Sequence, residues 1–208
     1  YILGNGGIVW FQGKYWFAYN HYALGAPASS YSLTIANSSD LINWTIVSDP
    51  LVSSGADPSL SINPSSGKLE VWYMTNSFPR KIHMRDSVDG MNWTDRGDFV
   101  NNFIGLASNF GEPAVFYIGT KRYIIFDSGA TSGYRHLLMQ NSINQDATWI
   151  VDGLALSPSL SNSWETGQVF DAFPIVADIG DGNGLIPRLF YAGSDGHSPT
   201  DNTNSSIG

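Results

Sequence analysis

Two segments of this 208-residue chain spell one pattern, S-x-D-x-x-N-W: Ser38-Ser39-Asp40-Leu41-Ile42-Asn43-Trp44 and Ser87-Val88-Asp89-Gly90-Met91-Asn92-Trp93. Ser142-Ile143-Asn144-Gln145-Asp146-Ala147-Thr148-Trp149 is a looser third copy, one residue longer and with Asn in place of the first Asp. A second marker runs in step with the first. Ala56-Asp57-Pro58-Ser59-Leu60, Gly111-Glu112-Pro113-Ala114-Val115 and Phe170-Asp171-Ala172-Phe173-Pro174-Ile175 each place a carboxylate just before a short apolar run. Two markers that keep their order mean one supersecondary unit recurring about every 50 to 55 residues, and units of that length cannot bury their apolar faces alone. The chain must therefore stack repeats.

Each unit reads as a four-stranded meander. In the first, Gly7-Ile8-Val9-Trp10-Phe11 and Lys14-Tyr15-Trp16-Phe17-Ala18-Tyr19 flank Gln12-Gly13, a hairpin signal; Tyr31–Ala36 and Trp44–Val47 follow as third and fourth strands. The second runs through Ser59–Ile62, Leu69–Met74, Lys81–Arg85 and a strand that starts at Trp93. The third uses Ala114–Tyr117, Tyr123–Phe126, His136–Met139 and Trp149–Val151. The fourth offers Phe173–Val176 and Arg188–Ala192, and the sequence reaches Gly208 where a third strand is expected to start. Repeated four-stranded meanders predict an all-β fold, a β-propeller of four-stranded antiparallel blades. About four blades are visible, the last incomplete, in a single domain spanning 1–208 with units at about 1–52, 53–105, 106–160 and 165–208.

The 22 Gly and 10 Pro, with abundant Ser and Asn, suit short strands separated by turns. No run of 18 apolar residues occurs, so no membrane helix is expected. A formal charge of −8 with only 10 Lys and Arg argues against nucleic acid, whose phosphates call for clustered cations. Without cysteine, disulfides and thiolate metal sites drop out. Sequons at Asn37, Asn43, Asn92 and Asn204 would accept glycans in a eukaryotic secretory setting, but Asn43 and Asn92 belong to the repeat motif, which explains them better.

The carboxylates carry the functional argument. In a propeller the first strand of each blade runs nearest the axis, so Asp57, Glu112 and Asp171 are expected around a central pocket. An acid before proline is also ordinary turn chemistry. Three in phase favour the pocket. His197, in Gly193-Ser194-Asp195-Gly196-His197-Ser198, follows the second strand of the fourth unit and reads either as a surface histidine or as a pocket residue. Trp10, Trp16, Tyr22 and Phe78 can stack on a sugar ring, with blade packing the competing reading for the two strand tryptophans. Trp44, Trp93 and Trp149 are expected to be structural. Asp178-Ile179-Gly180-Asp181-Gly182-Asn183-Gly184 does not fit the calcium-loop order and reads as a hairpin turn.

The order D-P, then E-P about one blade later, with S-x-D-G-x-x-W between them, resembles the five-bladed β-propeller glycoside hydrolases of the family 43 and 32 type. In that superfamily three carboxylates act on one glycosidic bond. An early Asp is base or nucleophile, a second Asp holds and tunes the acid, and a Glu one blade later is the general acid. The resemblance implies the tuning role for Asp57 and the acid role for Glu112. A carboxyl that shares a pocket with another keeps its proton more readily, as a donor to a leaving oxygen must.

The pattern is broken at the start. Aligning Gly13 with Gly119 sets Gly6 opposite Glu112, and no acid precedes Asp40. The first unit therefore resembles the family's second blade, and the base lies in an absent segment or is missing, with Asp171 a further candidate of uncertain role. A fragment or shortened propeller and a complete small assembly both fit. The resemblance implies an oligo- or polysaccharide ligand and an extracellular or secreted setting. No cofactor is expected beyond an ion at the propeller axis, and the unfinished blade would suit a homo-oligomer. A carbohydrate-binding propeller without catalysis and a structural propeller are the alternatives.

Overall fold

A computed structural model describes residues 2–22, 25, 30–76, 80–98, 110–129, 135–142, 149–157, 168–178, 185–194 and 205–207. Fifteen strands are present among them, in four antiparallel sheets. The first sheet holds β1 (Ile2–Phe11), β2 (Lys14–Tyr22), β3 (Ser32–Ser38) and β4 (Thr45–Val52); the second holds β5 (Gly55–Ile62), β6 (Leu69–Thr75), β7 (Ile82–Ser87) and β8 (Trp93–Asp98). The third is β9 (Phe110–Ile118), β10 (Lys121–Gly129), β11 (Arg135–Ser142) and β12 (Ile150–Leu156). The fourth is β13 (Gln168–Asp178), β14 (Leu185–Ser194) and β15 (Ser205–Ile207). Every sheet is a meander in chain order, as the repeat requires.

Two expectations change. The first strand starts at Ile2, because Gly4-Asn5-Gly6 joins the sheet without an apolar alternation to announce it. The fourth sheet does have a third strand, with Ala192 opposite Ile207 and Ser194 opposite Ser205. Three residues in a polar stretch are too short a signal to read.

The chain divides into two compact units, Tyr1–Asn101 with Gly111–Pro113, and Asn102–Phe110 with Ala114–Gly208. In the first unit, Phe11, Trp16, Ala18, Leu33 and Ile35 of one sheet meet Leu69, Val71 and Tyr73 of the next in one buried cluster. Alternation along β2 and β6 puts those residues on the facing sides, and burying them is what holds two such sheets together. Polar ties add register. Arg85 Nη1 donates to the Leu51 carbonyl at 3.0 Å, and Gln12 Nε2 donates to the Val88 carbonyl at 2.9 Å. In the second unit Ile125, Leu137 and Val169 form the buried cluster, with Phe116, Met139, Leu189 and Tyr191 packed against it.

The S-x-D-x-x-N-W motif is a clamp built twice. The Asp40 carboxylate accepts from the Ile42 and Asn43 amides at 2.9 and 2.7 Å and from Asn43 Nδ2 at 2.8 Å, while Trp44 Nε1 donates to the Leu41 carbonyl at 3.2 Å. Asp89 repeats this with Met91, Asn92 and Trp93, each amide contact at 2.8 Å and the indole bond at 3.0 Å. Hydrogen bonds from Asn43, Ile42 and Ser38 hold the Asp40 carboxyl well below the ordinary carboxylate range, and Asn92, Met91 and Ser87 do the same for Asp89. Trp44 and Trp93 are therefore structural, as expected. Most of the third copy lies outside the described residues.

Candidate functional site

The three in-phase carboxylates share an unusual backbone. Asp57, Glu112 and Asp171 have φ of 51°, 49° and 50°, in the left-handed region that favours glycine. The register explains two of them. Between Ala56↔Met74 and Ser59↔Trp72, the pair Asp57-Pro58 faces the single residue Tyr73. Between Phe170↔Ala192 and Phe173↔Phe190, Asp171-Ala172 faces Tyr191 in the same way. Each is a β-bulge whose first residue is left-handed, the slot that glycine usually fills. Asp57 and Asp171 thus sit inside their strands at a bulge and not in a turn before them, and Glu112 likewise lies within β9. Such a conformation costs about 1–3 kcal/mol at a residue with a side chain and is kept where something else requires it.

The first sheet has the bulge without the acid. Its register shifts between Leu3↔His21 and Gly6↔Tyr19, which places Gly4-Asn5 opposite Asn20. The interruption therefore begins two residues before the Gly6 reached by aligning hairpins. Gly4-Asn5 interrupts the pairing at the corresponding place and carries no carboxylate.

Asp57 and Glu112 are half-buried, each followed by a buried proline, and Asp171 is exposed. Glu112 falls in the same compact unit as Asp57, and Asp171 falls in the other. Near Asp57 the first unit brings Tyr31, with Asn76 and Tyr22 against it. The Tyr31 carbonyl accepts from the Gly55 amide and from Asn76 Nδ2, both at 3.2 Å, which fixes it two residues from Asp57 along β5.

The remaining candidates are scattered. Trp10 is 52% exposed at the hairpin end of β1, edge-on to Tyr15 at 4.6 Å, and lies about 20 Å along the strand from the bulge at ~3.3 Å per residue. Trp16 is buried and donates from Nε1 to the Phe11 carbonyl at 3.0 Å, so blade packing accounts for it. Tyr22 ends β2 beside Tyr31. His197 and Phe78 lie outside the described residues, as does most of the Asp178–Gly184 stretch. No group of His, Asp and Glu able to hold a metal ion occurs among the described residues, and no helix there is long and apolar enough to cross a membrane. Sequence reasoning missed Tyr31: nothing in Ser30-Tyr31-Ser32 marks it, because its place comes from the contact between the first two sheets.

No family model matches the chain, and no curated protein matches it by sequence. Solved structures do match by fold. A thermostable family-43 glycoside hydrolase superposes with a TM-score of 0.70 at 11% identity, over 97% of this chain and 69% of that one. A family-32 β-fructofuranosidase from Bombyx mori gives 0.62 at 15% identity, over 99% of this chain and 44% of its own. An N-acetylgalactosamine deacetylase from F. plautii, solved with the blood group B trisaccharide, gives 0.66 at 15% identity, over 92% and 63%. The chain thus spans about 44 to 69% of these proteins. Four-stranded meander sheets and this likeness together establish the fold as the β-propeller seen in glycoside hydrolases of families 43 and 32.

Proposed function

We propose that this chain carries the saccharide site of a glycoside hydrolase-like propeller, with Glu112 as the proton donor and Asp57 as the carboxylate that holds and tunes it. One observation carries the reading: acids stand in the left-handed region in three successive repeats, where glycine would be less strained. A strained residue type repeated in phase is accounted for by what the side chain does. Saccharide ligands on relatives of the fold, such as the trisaccharide held by the F. plautii deacetylase, support a glycan as the partner.

In the proposed reaction Glu112 gives its proton to the glycosidic oxygen as the bond from that oxygen to the anomeric carbon breaks. The sugar departs through an oxocarbenium-like transition state, and water supplies the new oxygen. Asp57 keeps the donor protonated and aimed. The base comes from elsewhere. An extracellular setting belongs to the same reading, since free polysaccharide is met there.

The Gly4-Asn5 bulge favours one second reading, a propeller that binds glycans without cleaving them. Glu112→Gln separates the two. For an enzyme, this substitution abolishes hydrolysis of a susceptible glycan while leaving its affinity within a few-fold, because only the proton is lost. Hydrolysis by the mutant at the wild-type rate would remove Glu112 from the acid role. Glycan affinity with no turnover in either protein would establish the binding reading.

A further inference from the structure

Tyr31 lies where three segments of the first unit meet. Its carbonyl is held by the Gly55 amide at the start of β5 and by Asn76 just after β6, and Tyr31 itself immediately precedes β3. Asn76 is itself tied in, its amide donating to the Ser54 carbonyl at 3.5 Å. The main chain at Tyr31 is thereby fixed, while the side chain stays half-buried. Tyr22 stands against it edge-on, ring centroids 4.6 Å apart at 87°. An edge-to-face pair fixes the plane of the outer ring. The Tyr31 hydroxyl is within electrostatic range of the Asp57 carboxylate and of the exposed Arg80 guanidinium.

We infer that Tyr31, braced by Tyr22, is a substrate-positioning residue of the saccharide site at Asp57: its ring carries the apolar face of one sugar ring, and its hydroxyl meets a sugar hydroxyl beside the carboxylate. A fixed aromatic plane with a polar tip suits this ligand, since a pyranose or furanose ring presents CH groups on a face and hydroxyls at its rim. Burial, then the Tyr22 phenol and the Asp57 charge, hold the Tyr31 hydroxyl above its ordinary value, with Arg80 pulling the other way. It therefore stays a donor throughout the neutral range.

The inference rests on the saccharide reading above, and the test tells the two apart. Wild type, Tyr31→Ala and Tyr31→Phe are titrated calorimetrically with fructo-, arabino- and galacto-oligosaccharides and the blood group B trisaccharide, with melting temperatures recorded alongside. The expected result is binding by wild type, about tenfold weaker binding by Tyr31→Ala, and recovery to within about threefold by Tyr31→Phe, which keeps the ring. Turnover of any bound glycan should show the loss in KM with kcat little changed, the mark of positioning. Tyr31→Ala binding within twofold of wild type overturns the inference and leaves the saccharide site standing. Should Tyr31→Ala fail to fold, Tyr31→Leu decides, because it keeps apolar bulk without the aromatic face, and binding within twofold of wild type overturns the inference. Wild type that binds none of the probes sinks both this inference and the reading beneath it.

Discussion

Alanine and glycine compared at the bulge positions measure whether the carboxylates are held against the preference of their own backbone. Asp57→Ala and Asp57→Gly remove the same carboxylate and the same contacts, so their difference reports the main chain alone. At φ of 51° an alanine pays for its Cβ about 1–2 kcal/mol that glycine does not. Glycine gives back about 0.5–1 kcal/mol through the greater freedom of its unfolded chain. The Gly variant is therefore expected to be the more stable by about 0.5–1 kcal/mol. In urea, with a slope of ~2 kcal/mol/M, that moves the midpoint by roughly 0.3–0.5 M. Glu112 and Asp171, at 49° and 50°, should repeat the sign. Ser59, two residues on in β5 and outside the left-handed region, should reverse it, with Ala the more stable. Tryptophan fluorescence follows the transition. Ala equal to or above Gly at both 57 and 112 would refute the strained-slot argument, and with it the observation on which the proposed function stands.

Three further outcomes follow from the same structure. Gly90, at φ 74°, has no room for a Cβ, which would sit 2.2 Å from the buried Trp16 ring, whereas Gly67, at φ 67°, has nothing within 4 Å. Gly67→Ala should cost about 1 kcal/mol and Gly90→Ala about 2–4 kcal/mol by urea unfolding, and equal losses would deny the Trp16 contact. The depressed Asp40 and Asp89 carboxyls stabilise the fold above the unfolded value near 4, and that contribution is lost as pH falls through their lower folded values. Carbon-detected titration should find both below ordinary aspartates, and Asn92→Ala should raise Asp89 selectively. Burial, aided by Asp95 and Asp98 and opposed by Arg85, pushes the Tyr73 phenol up to about 12. Its contribution is full below the unfolded value near 10 and lost as pH climbs towards the folded one, so ultraviolet titration of wild type against Tyr73→Phe should show one late tyrosine.

The sheet plan was legible because its markers are local. Ser38 and Asn43 bond to Asp40, and Trp44 bonds to the Leu41 carbonyl, all within seven residues, and Gln12-Gly13, at φ of 49° and 79°, is a two-residue hairpin turn that the dipeptide announces. The bulges were not legible. An acid before proline reads as a turn, and only the pairing of β5 with β6 shows that Asp57-Pro58 is spare length inside a strand. The places of Tyr31 and Trp10 relative to the bulges were not legible either, because both are ordinary strand-end aromatics in sequence, and which end lies beside a bulge is settled by register.

Pro58 and Pro113 follow their acids directly and carry no amide hydrogen. A bulge leaves a residue over, and its N–H ordinarily has to find an acceptor in a buried setting. With proline there, that debt never arises. At Asp57 the strand therefore carries its extra residue without a neighbour having to be recruited to satisfy an amide at Pro58.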